Sequence, residues 1–486
     1  MSKKAGRKNA RAKTDTGKGG HRLAVVVLAA GLGKRMRSQR AKVLHEIAGR
    51  PLLSHVLSAV GRLSTERCVT VVGYQADQVG ALAAEHGTIC ALQSEQLGTG
   101  HAVAQARSAL GRFRGDLLVL VGDAPLITTS TLRMLVSGHR RRGALATVLT
   151  TFAENPDGYG RIVRDDEGGI RIVEHRDASR TQREIDEVNT GIYCFDSTFL
   201  FRSLASLDRD NVQGEYYLTD VMAAASHRGK AGSVVVEDEC EALGVDSRLG
   251  LARAEALMQE RLILGWMEKG VTFLDPSSVY LSADTTIGRD ARVGPGLRTR
   301  GATKIGRGVV IDGNAYLADT SVGSGSHVRW GVVADGARIG RNARVGPYSH
   351  LRPEADLGDE VHVGNFVEIK NSTIGRGSKA NHLAYIGDAS VGRGVNVGAG
   401  TITCNYDGFA KHRTVIEDGV QIGSDTQLVA PVRLGRGSYV AAGSTVTSDV
   451  EADALVFNDK RQRVRPGWAR RFRQRAGGTD AKGKKK

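Results

Sequence analysis

Leu357-Gly358-Asp359-Glu360-Val361-His362-Val363-Gly364 and Val391-Gly392-Arg393-Gly394-Val395-Asn396-Val397-Gly398 share one grammar. An aliphatic residue precedes a glycine, and a small or branched residue follows three positions later. The same unit returns about every six positions, at Ile287-Gly288, Ile305-Gly306, Val322-Gly323, Ile339-Gly340, Val345-Gly346, Ile374-Gly375, Ile422-Gly423 and Leu434-Gly435. A six-residue period of this kind is the signature of a parallel β-helix. The aliphatic residue points inward, the small residue fits a tight corner, and three hexads close one triangular coil. Charged residues fill the outward positions, which accounts for an aromatic content of only 5% beside 62 glycines. The repeat breaks at Cys404–Arg413 (CNYDGFAKHR), and an excursion from a rigid solenoid is a natural place for function.

Working outward, residues 249–270 lack proline and carry Ala254, Leu257, Met258 and Leu262 at helical spacing, which predicts a connecting helix before a β-helix over 271–456. Residues 23–248 obey a different rule. Short apolar runs, LAVVVLAAG (23–31), CVTVVG (68–73) and DLLVLVGD (116–123), alternate with helical stretches such as 51–62 and 99–111. That alternation predicts an α/β, Rossmann-like domain with a mostly parallel sheet covered on both faces. Ligands of such sheets bind at the carboxyl ends of the strands.

The net charge of +16 is misleading as a nucleic-acid signal. Residues 1–22 carry eight Lys/Arg against one Asp, and residues 460–486 carry twelve against one, so the two ends together hold +18 and the body is close to neutral at −2. The ends read as solvated basic tails, 1–22 and 457–486. The body has no aromatic-interleaved basic groove, so nucleic acid is not expected as the main partner. Five widely spaced cysteines without a CxxC pair suit a reducing compartment. The apolar run Leu23–Ala30 is too short for a membrane span and leads into a glycine turn, so a cytoplasmic protein without a signal peptide is expected.

LAAGLGKRM (28–36) closes a strand and opens a loop with Gly31, Gly33, Lys34 and Arg35. Glycines let backbone N–H groups approach phosphates and the cations neutralise them. Met36 stands where a dinucleotide fingerprint needs its third glycine, so that fingerprint is not met. Further along come Lys42-Val43-Leu44, Gln93 to His101, Val121-Gly122-Asp123-Ala124-Pro125-Leu126, Gly158-Tyr159-Gly160-Arg161-Ile162, Val173-Glu174-His175 and Val188-Asn189-Thr190-Gly191. In the repeat half, polar residues exceed what stacking needs at His350–Pro353, Val363–Lys370, Lys379–Asp388, Gly398–Asp407 and Gly423–Thr426. Together these motifs resemble the bifunctional bacterial N-acetylglucosamine-1-phosphate uridyltransferase/glucosamine-1-phosphate acetyltransferases, from about Leu23 to Trp468.

The resemblance implies a left-handed β-helix and two reactions that yield UDP-N-acetylglucosamine. Acetyl-CoA acetylates glucosamine 1-phosphate, and N-acetylglucosamine 1-phosphate then attacks UTP with release of pyrophosphate. It implies that Leu28, Ala30 and Gly31 hold uracil and ribose, that Gln93, Gly98 and Thr99 read the base, and that Arg35 and Lys42 grip phosphates. Gly160, Glu174 and Asn189 would hold the sugar, with Mg²⁺ on Asp123 and Asp246. In the second half His382 would be the general base, a side chain suited to proton transfer near neutrality. Arg352, Lys370, Tyr385 and Asn396 would bind the sugar phosphate, and Asn405 and Tyr406 would orient substrate and thioester. Ala399, Ser424 and Ala442 would contact acetyl-CoA. A homotrimer with sites between copies is implied as well. Three positions depart from the family: Asp246 replaces Asn, Val121 replaces Tyr, and Asp459 stands where an Arg contacts the CoA phosphates, with Lys460 or Arg461 as substitutes. The competing readings are a uridyltransferase whose repeat is only a trimerisation scaffold, and a polyanion-binding protein acting through its tails.

Overall fold

The computed structural model describes residues 22–477 apart from 167, 243 and 460. The N-terminal tail up to 21, the end of the C-terminal tail and Lys460 therefore lie outside the described residues. The chain divides into two compact units, residues 1–265 and 266–486.

In the first unit the central path of the sheet runs Ala231–Val235, Ala146–Phe152, Glu187–Asp196, Asp116–Val121, Leu23–Ala29, Arg67–Val72 and Ile89–Leu92. All neighbours are parallel except Glu187–Asp196, which runs against both of its partners. A hairpin, Arg161–Arg164 with Ile170–Val173, joins this odd strand through Val188 and Arg161. Leu23–Ala29 shows why the sheet is covered twice. Val25, Val27 and Ala29 point into a core closed by the helices Leu52–Val60 and Thr129–Arg142. Ala24 and Val26 point into the opposite core, with Thr99–Gln105, Ser197–Leu204 and Thr219–Ser226. The period of two along a strand thus feeds two apolar layers. The expected helix over 99–111 is instead two short ones that meet at Ala106.

The helix Arg248–Met267 begins as part of this unit. Glu255 accepts from the Ala48 amide at 2.7 Å, and Arg261 donates to the Leu126 carbonyl at 2.6 Å.

The second unit is built of three parallel sheets with eleven, nine and nine strands, one for each side of the coil. It is the hexapeptide-repeat β-helix expected from the sequence, of the left-handed class. On one side Ile305, Val322, Ile339, Leu357, Ile374, Val391, Ile416 and Leu434 stack in register, all buried. The glycine that follows each of these except Ile416, where Glu417 stands, answers to close approach. A Cβ on Gly323 would lie 2.5 Å from the Gly340 backbone, and one on Gly340 would lie 2.4 Å from Gly358. The corner residue Ser378 is satisfied by neighbouring turns: its Oγ donates to the Gly392 carbonyl at 2.7 Å and accepts from the Val395 amide at 3.0 Å. Most coils repeat every 17 or 18 residues, as between Arg341 and Asp359, whereas Arg393 reaches its partner Asp418 across 25. The extra residues are the Cys404–Arg413 excursion.

Candidate functional sites

In the first unit, the strands Leu23–Ala29, Arg67–Val72 and Asp116–Val121 end side by side, with Leu28 level with Val71 and Val121. The loop after each strand builds part of the site. Gly122 N–H donates to the Leu28 carbonyl at 2.8 Å, and Tyr74 N–H donates to the Ala30 carbonyl at 3.1 Å. Gly73 is wedged between Ala30 and Gln93, where a Cβ would lie 2.8 Å from one carbonyl and 3.0 Å from the other. Gln93 is buried, and its amide nitrogen meets the Gly98 carbonyl at 3.2 Å and His101 Nδ1 at 3.1 Å. Gly98 has φ +108°, and a Cβ there would strike the Tyr216 backbone. Thr99 Oγ1 accepts from the Leu218 amide at 3.2 Å. Leu28, Ala30, Gln93, Gly98 and Thr99 therefore line one end of the site, and Gly31 opens to space with nothing within 4 Å of a notional Cβ.

The sugar-side residues also come together. A Cβ on Gly160 would lie 3.5 Å from both Asn189 Cβ and Glu174 Oε2, and the Asn189 amide donates to the Gly160 carbonyl at 2.8 Å. Asn189 sits at a register shift in its strand, between Asn189 and Tyr193, where bulges commonly re-aim side chains. Burial raises the Glu174 carboxyl above the ordinary carboxylate range, and the charges of Asp177 and Asp220 add to it.

Between these ends lie the charges. Lys42 pairs with Asp123, and Arg35 pairs with Asp246 at 2.6 Å. The Val245 amide donates to the Asp123 carbonyl at 2.8 Å, which places both carboxylates in one corner. Tyr159 stands close enough that burial first, then Asp246 and Asp123, push its hydroxyl pKa upward. Gly33 takes φ +69° with a notional Cβ only 2.6 Å from Lys42 Cβ, so glycine is needed for the loop to fold back on that lysine. Gly33, Arg35, Lys42, Glu174 and Asp246 line a cleft of about 530 Å³. Two adjoining carboxylates with hard oxygens suit a divalent cation that completes its shell with phosphate oxygens. Val121, where a tyrosine was the family expectation, packs against Gly191, whose notional Cβ would lie 3.3 Å from it.

In the second unit the expected residues form two groups. One runs along a single corner of the coil. Asn365 and His382 are register partners in successive coils, and Asn365 Oδ1 lies 2.8 Å from His382 Nδ1. An amide oxygen only accepts, so Nδ1 is the donor in this contact, and in the neutral ring Nε2 is then the nitrogen with the free lone pair. Below them Ala399 accepts from the Asp425 amide at 2.7 Å, Ser424 accepts from the Gly443 amide at 2.8 Å, and a Cβ on Gly423 would touch the Ala442 amide. His382, Ala399, Ser424 and Ala442 thus descend one edge. His382 is exposed within the single chain.

The other group occupies the adjoining side. Arg352 pairs with Glu368 at 2.8 Å, and Glu368, Lys370 and Tyr385 lie on neighbouring strands. Tyr385 and Asn405 meet over Gly387, where a Cβ would lie 2.5 Å from the tyrosine hydroxyl and 2.8 Å from the asparagine nitrogen. Asn405 Nδ2 donates to Asp388, which also accepts from Asn371 at 2.6 Å. Tyr406 is exposed and donates to the Gly408 carbonyl at 2.6 Å. Asn396 stands apart from this group, exposed on the side that carries Lys379.

Sequence reasoning missed Lys411. It sits beside Lys370, and its ammonium, with Arg352 behind it, holds the Lys370 pKa below the ordinary lysine value. The Cys404–Arg413 excursion brings it there. Asp407 pins that loop, accepting from the Phe409 and Ala410 amides at 2.8 and 2.7 Å, with His412 Nε2 2.6 Å away, and its carboxyl is held well below the usual range by those contacts. Arg352, Lys370 and Lys411 share this face with the carboxylates of Glu368 and Asp388. Asn365 was missed too, although its position one coil before His382 is a readable signal. His55 and His139 are held within the fold: His139 Nδ1 lies 2.9 Å from Thr147 Oγ1 in the core, and His55 Nε2 lies 3.0 Å from the Ile47 carbonyl, whereas the buried Nε2 of His45 has no hydrogen-bond partner among the described residues.

A nucleotide-gripping α/β unit joined to a polar-edged β-helix defines a nucleotidyltransferase fused to a hexapeptide-repeat transferase. The MobA-like NTP transferase domain matches residues 25–227, and the bacterial transferase hexapeptide (six repeats) matches 336–371 and 413–448. The chain is 50% identical over 447 residues to the bifunctional protein GlmU of Syntrophotalea carbinolica, covering 92% of this chain and 96% of that one. It is 48% identical to the bifunctional protein GlmU of Halalkalibacterium halodurans (90% and 96% covered) and 46% identical to that of Geobacillus thermodenitrificans (92% and 98%). The chain belongs to the bifunctional GlmU family. It is a transferase with a uridyltransferase half and an acetyltransferase half, as the motifs implied. Among the described residues no helix is long and apolar enough to cross a membrane.

Proposed function

We propose that the second unit acetylates glucosamine 1-phosphate from acetyl-CoA at the His382 corner, and that the first couples the product to UTP in the cleft between Arg35 and Glu174. The observation that carries this reading is the Asn365–His382 pair, set on the same edge as Ala399, Ser424 and Ala442. A scaffold has no use for an imidazole with a fixed tautomer. Nε2 removes a proton from the sugar amine as its nitrogen attacks the thioester carbonyl. The tetrahedral intermediate collapses, the C–S bond breaks, and CoA leaves as the thiol after taking up a proton. Ser424, on the same edge, would meet the developing oxyanion. Arg352, Lys370 and Lys411 hold the sugar phosphate, with Tyr385 and Asn405 beside them. Asn396 and Tyr406, outside that group in one chain, fit a site completed by a neighbouring copy. This supports a homotrimer, in which flat-sided prisms pack together.

In the first unit a phosphate oxygen of N-acetylglucosamine 1-phosphate attacks the α-phosphorus of UTP, and pyrophosphate leaves. Little proton transfer is needed, so positioning and charge neutralisation do the work. Arg35 and Lys42 exchange their carboxylate partners for phosphate oxygens. Asp123 and Asp246, once released, would hold Mg²⁺, which when bound neutralises charge on the triphosphate. Gln93, Gly98 and Thr99 position the uracil, and Gly160, Glu174 and Asn189 the acetylated sugar. A cytoplasmic location suits UTP and acetyl-CoA as substrates. Mixing the protein with glucosamine 1-phosphate, acetyl-CoA, UTP and Mg²⁺ should give UDP-N-acetylglucosamine, CoA and pyrophosphate. Failure to release CoA would reduce the β-helix to a scaffold.

A further inference from the structure

Of the Gln93–His101 motif, His101 takes no part in either reaction as described. It is half-buried on the helix Thr99–Gln105. Its partner is Gln93, which follows the strand Ile89–Leu92 and is only 3% exposed. The Gln93 side-chain nitrogen lies 3.2 Å from the Gly98 carbonyl oxygen. A carbonyl only accepts, so this contact fixes which end of the amide is the NH2. The same nitrogen lies 3.1 Å from His101 Nδ1. Both N–H bonds of Gln93 are therefore engaged, and Nδ1 accepts the second. The neutral imidazole then carries its proton on Nε2, 3.0 Å from the Gln105 side-chain nitrogen, and a half-turn of that amide presents its oxygen to the proton. Gln93 Oε1 makes no hydrogen bond among the described residues. Turning the Gln93 amide over would set Oε1 against a carbonyl oxygen and a ring lone pair, acceptor against acceptor in a buried place.

We propose that His101 sets the choice of nucleobase, by holding the Gln93 amide so that it offers the base an oxygen and no N–H. The inference rests on the reading that Gln93 meets the base. An oxygen accepts from the N3–H of uracil. Cytosine has no hydrogen at N3, only a lone pair, so its approach puts two acceptors face to face and leaves a buried group unpaired. A glutamine free to turn over would serve either base, with its oxygen for uracil and its N–H for cytosine. His101 removes that choice. It acts through Gln93, which makes it a positioning residue for specificity. The ring is itself steadied, 6.4 Å from the Tyr216 ring, while the Gly100 amide beside it donates to the Tyr216 carbonyl at 2.8 Å.

The test gives the full chain an equimolar mixture of UTP and CTP with N-acetylglucosamine 1-phosphate and Mg²⁺. Anion-exchange chromatography then measures the ratio of uridine to cytidine product. That ratio does not depend on how much of a variant is folded, so lost stability alone leaves it unmoved. His101→Phe keeps a ring and deletes the acceptor; the ratio should fall about five- to tenfold, the weight of one hydrogen bond to a buried amide. His101→Asn puts Oδ1 where Nδ1 stood and should hold the ratio within about twofold. Gln93→Leu should lower the ratio at least as far as His101→Phe, and adding His101→Phe to it should change nothing more. A ratio lowered by Gln93→Leu but untouched by His101→Phe would overturn the role of His101 and spare the base reading. A ratio untouched by Gln93→Leu would overturn both. Equal losses in His101→Asn and His101→Phe would overturn the hydrogen-bond lock.

Discussion

Replacing Asn365 by alanine removes one hydrogen bond at the acetyl site and nothing else that touches substrate. The bond is 2.8 Å long and lies at the surface of a single chain. Such a bond contributes about 0.5–1.5 kcal/mol net, equivalent to about twofold to twelvefold in rate. The loss falls on the orientation and tautomer of His382, so kcat for acetyl transfer should drop by about three- to tenfold. The KM for glucosamine 1-phosphate should hold, because Arg352, Lys370 and Lys411 bind the phosphate. His382→Ala should cost far more, about 10²–10⁴-fold, the reach of a general base. The double variant settles the mechanism. If Asn365 acts only through His382, removing it from the His382→Ala protein changes nothing further. CoA release, measured with a thiol reagent, reports on all three. An Asn365→Ala protein with the wild-type rate, or one that slows the His382→Ala background as much as the parent, refutes this reasoning.

Asp246→Asn should tighten metal-free UTP binding by about twofold to fivefold, since an exposed ion pair of this kind holds Arg35 by at most about 1 kcal/mol. It should also move Mg²⁺ dependence to higher concentration; unchanged calorimetric titrations would count against the partner exchange. Lys411→Ala should raise the KM for glucosamine 1-phosphate about tenfold, with kcat less affected, and a kcat effect alone would remove it from the phosphate site. Glu174 has its folded pKa raised by burial, so its ionisation opposes folding. That cost is absent below the ordinary value of 4.5 and grows as pH climbs through the raised folded value. Glu174→Gln should therefore raise the melting temperature of the first unit more at pH 8 than at pH 4; an equal change at both would deny the burial effect.

Much of this was legible because two periods govern the chain. The alternation in Leu23–Ala29 names both faces of one sheet, and the six-residue unit names the inward ladder of the other fold. Site residues carried by contiguous motifs, such as Asp123 after Asp116–Val121, can be placed from the strand ends. Lys411 could not, because the excursion has no period and its return against Lys370 depends on Asp407 gathering amides from its own loop. The Asn365–His382 bond is different: it joins residues 17 apart, one coil length, so the repeat itself brings the two side by side. The pairing of Arg35 with Asp246 joins positions far apart in the chain, so only the fold reveals that the phosphate cations and the metal-suited carboxylates neutralise one another.

The claim that two separate sites work in sequence is tested most directly by giving the His382→Ala protein each sugar phosphate in turn, with UTP, acetyl-CoA and Mg²⁺. N-acetylglucosamine 1-phosphate should be converted to UDP-N-acetylglucosamine at the wild-type rate, while glucosamine 1-phosphate should give almost none. Equal yields from both sugars, or loss of both, would contradict the account.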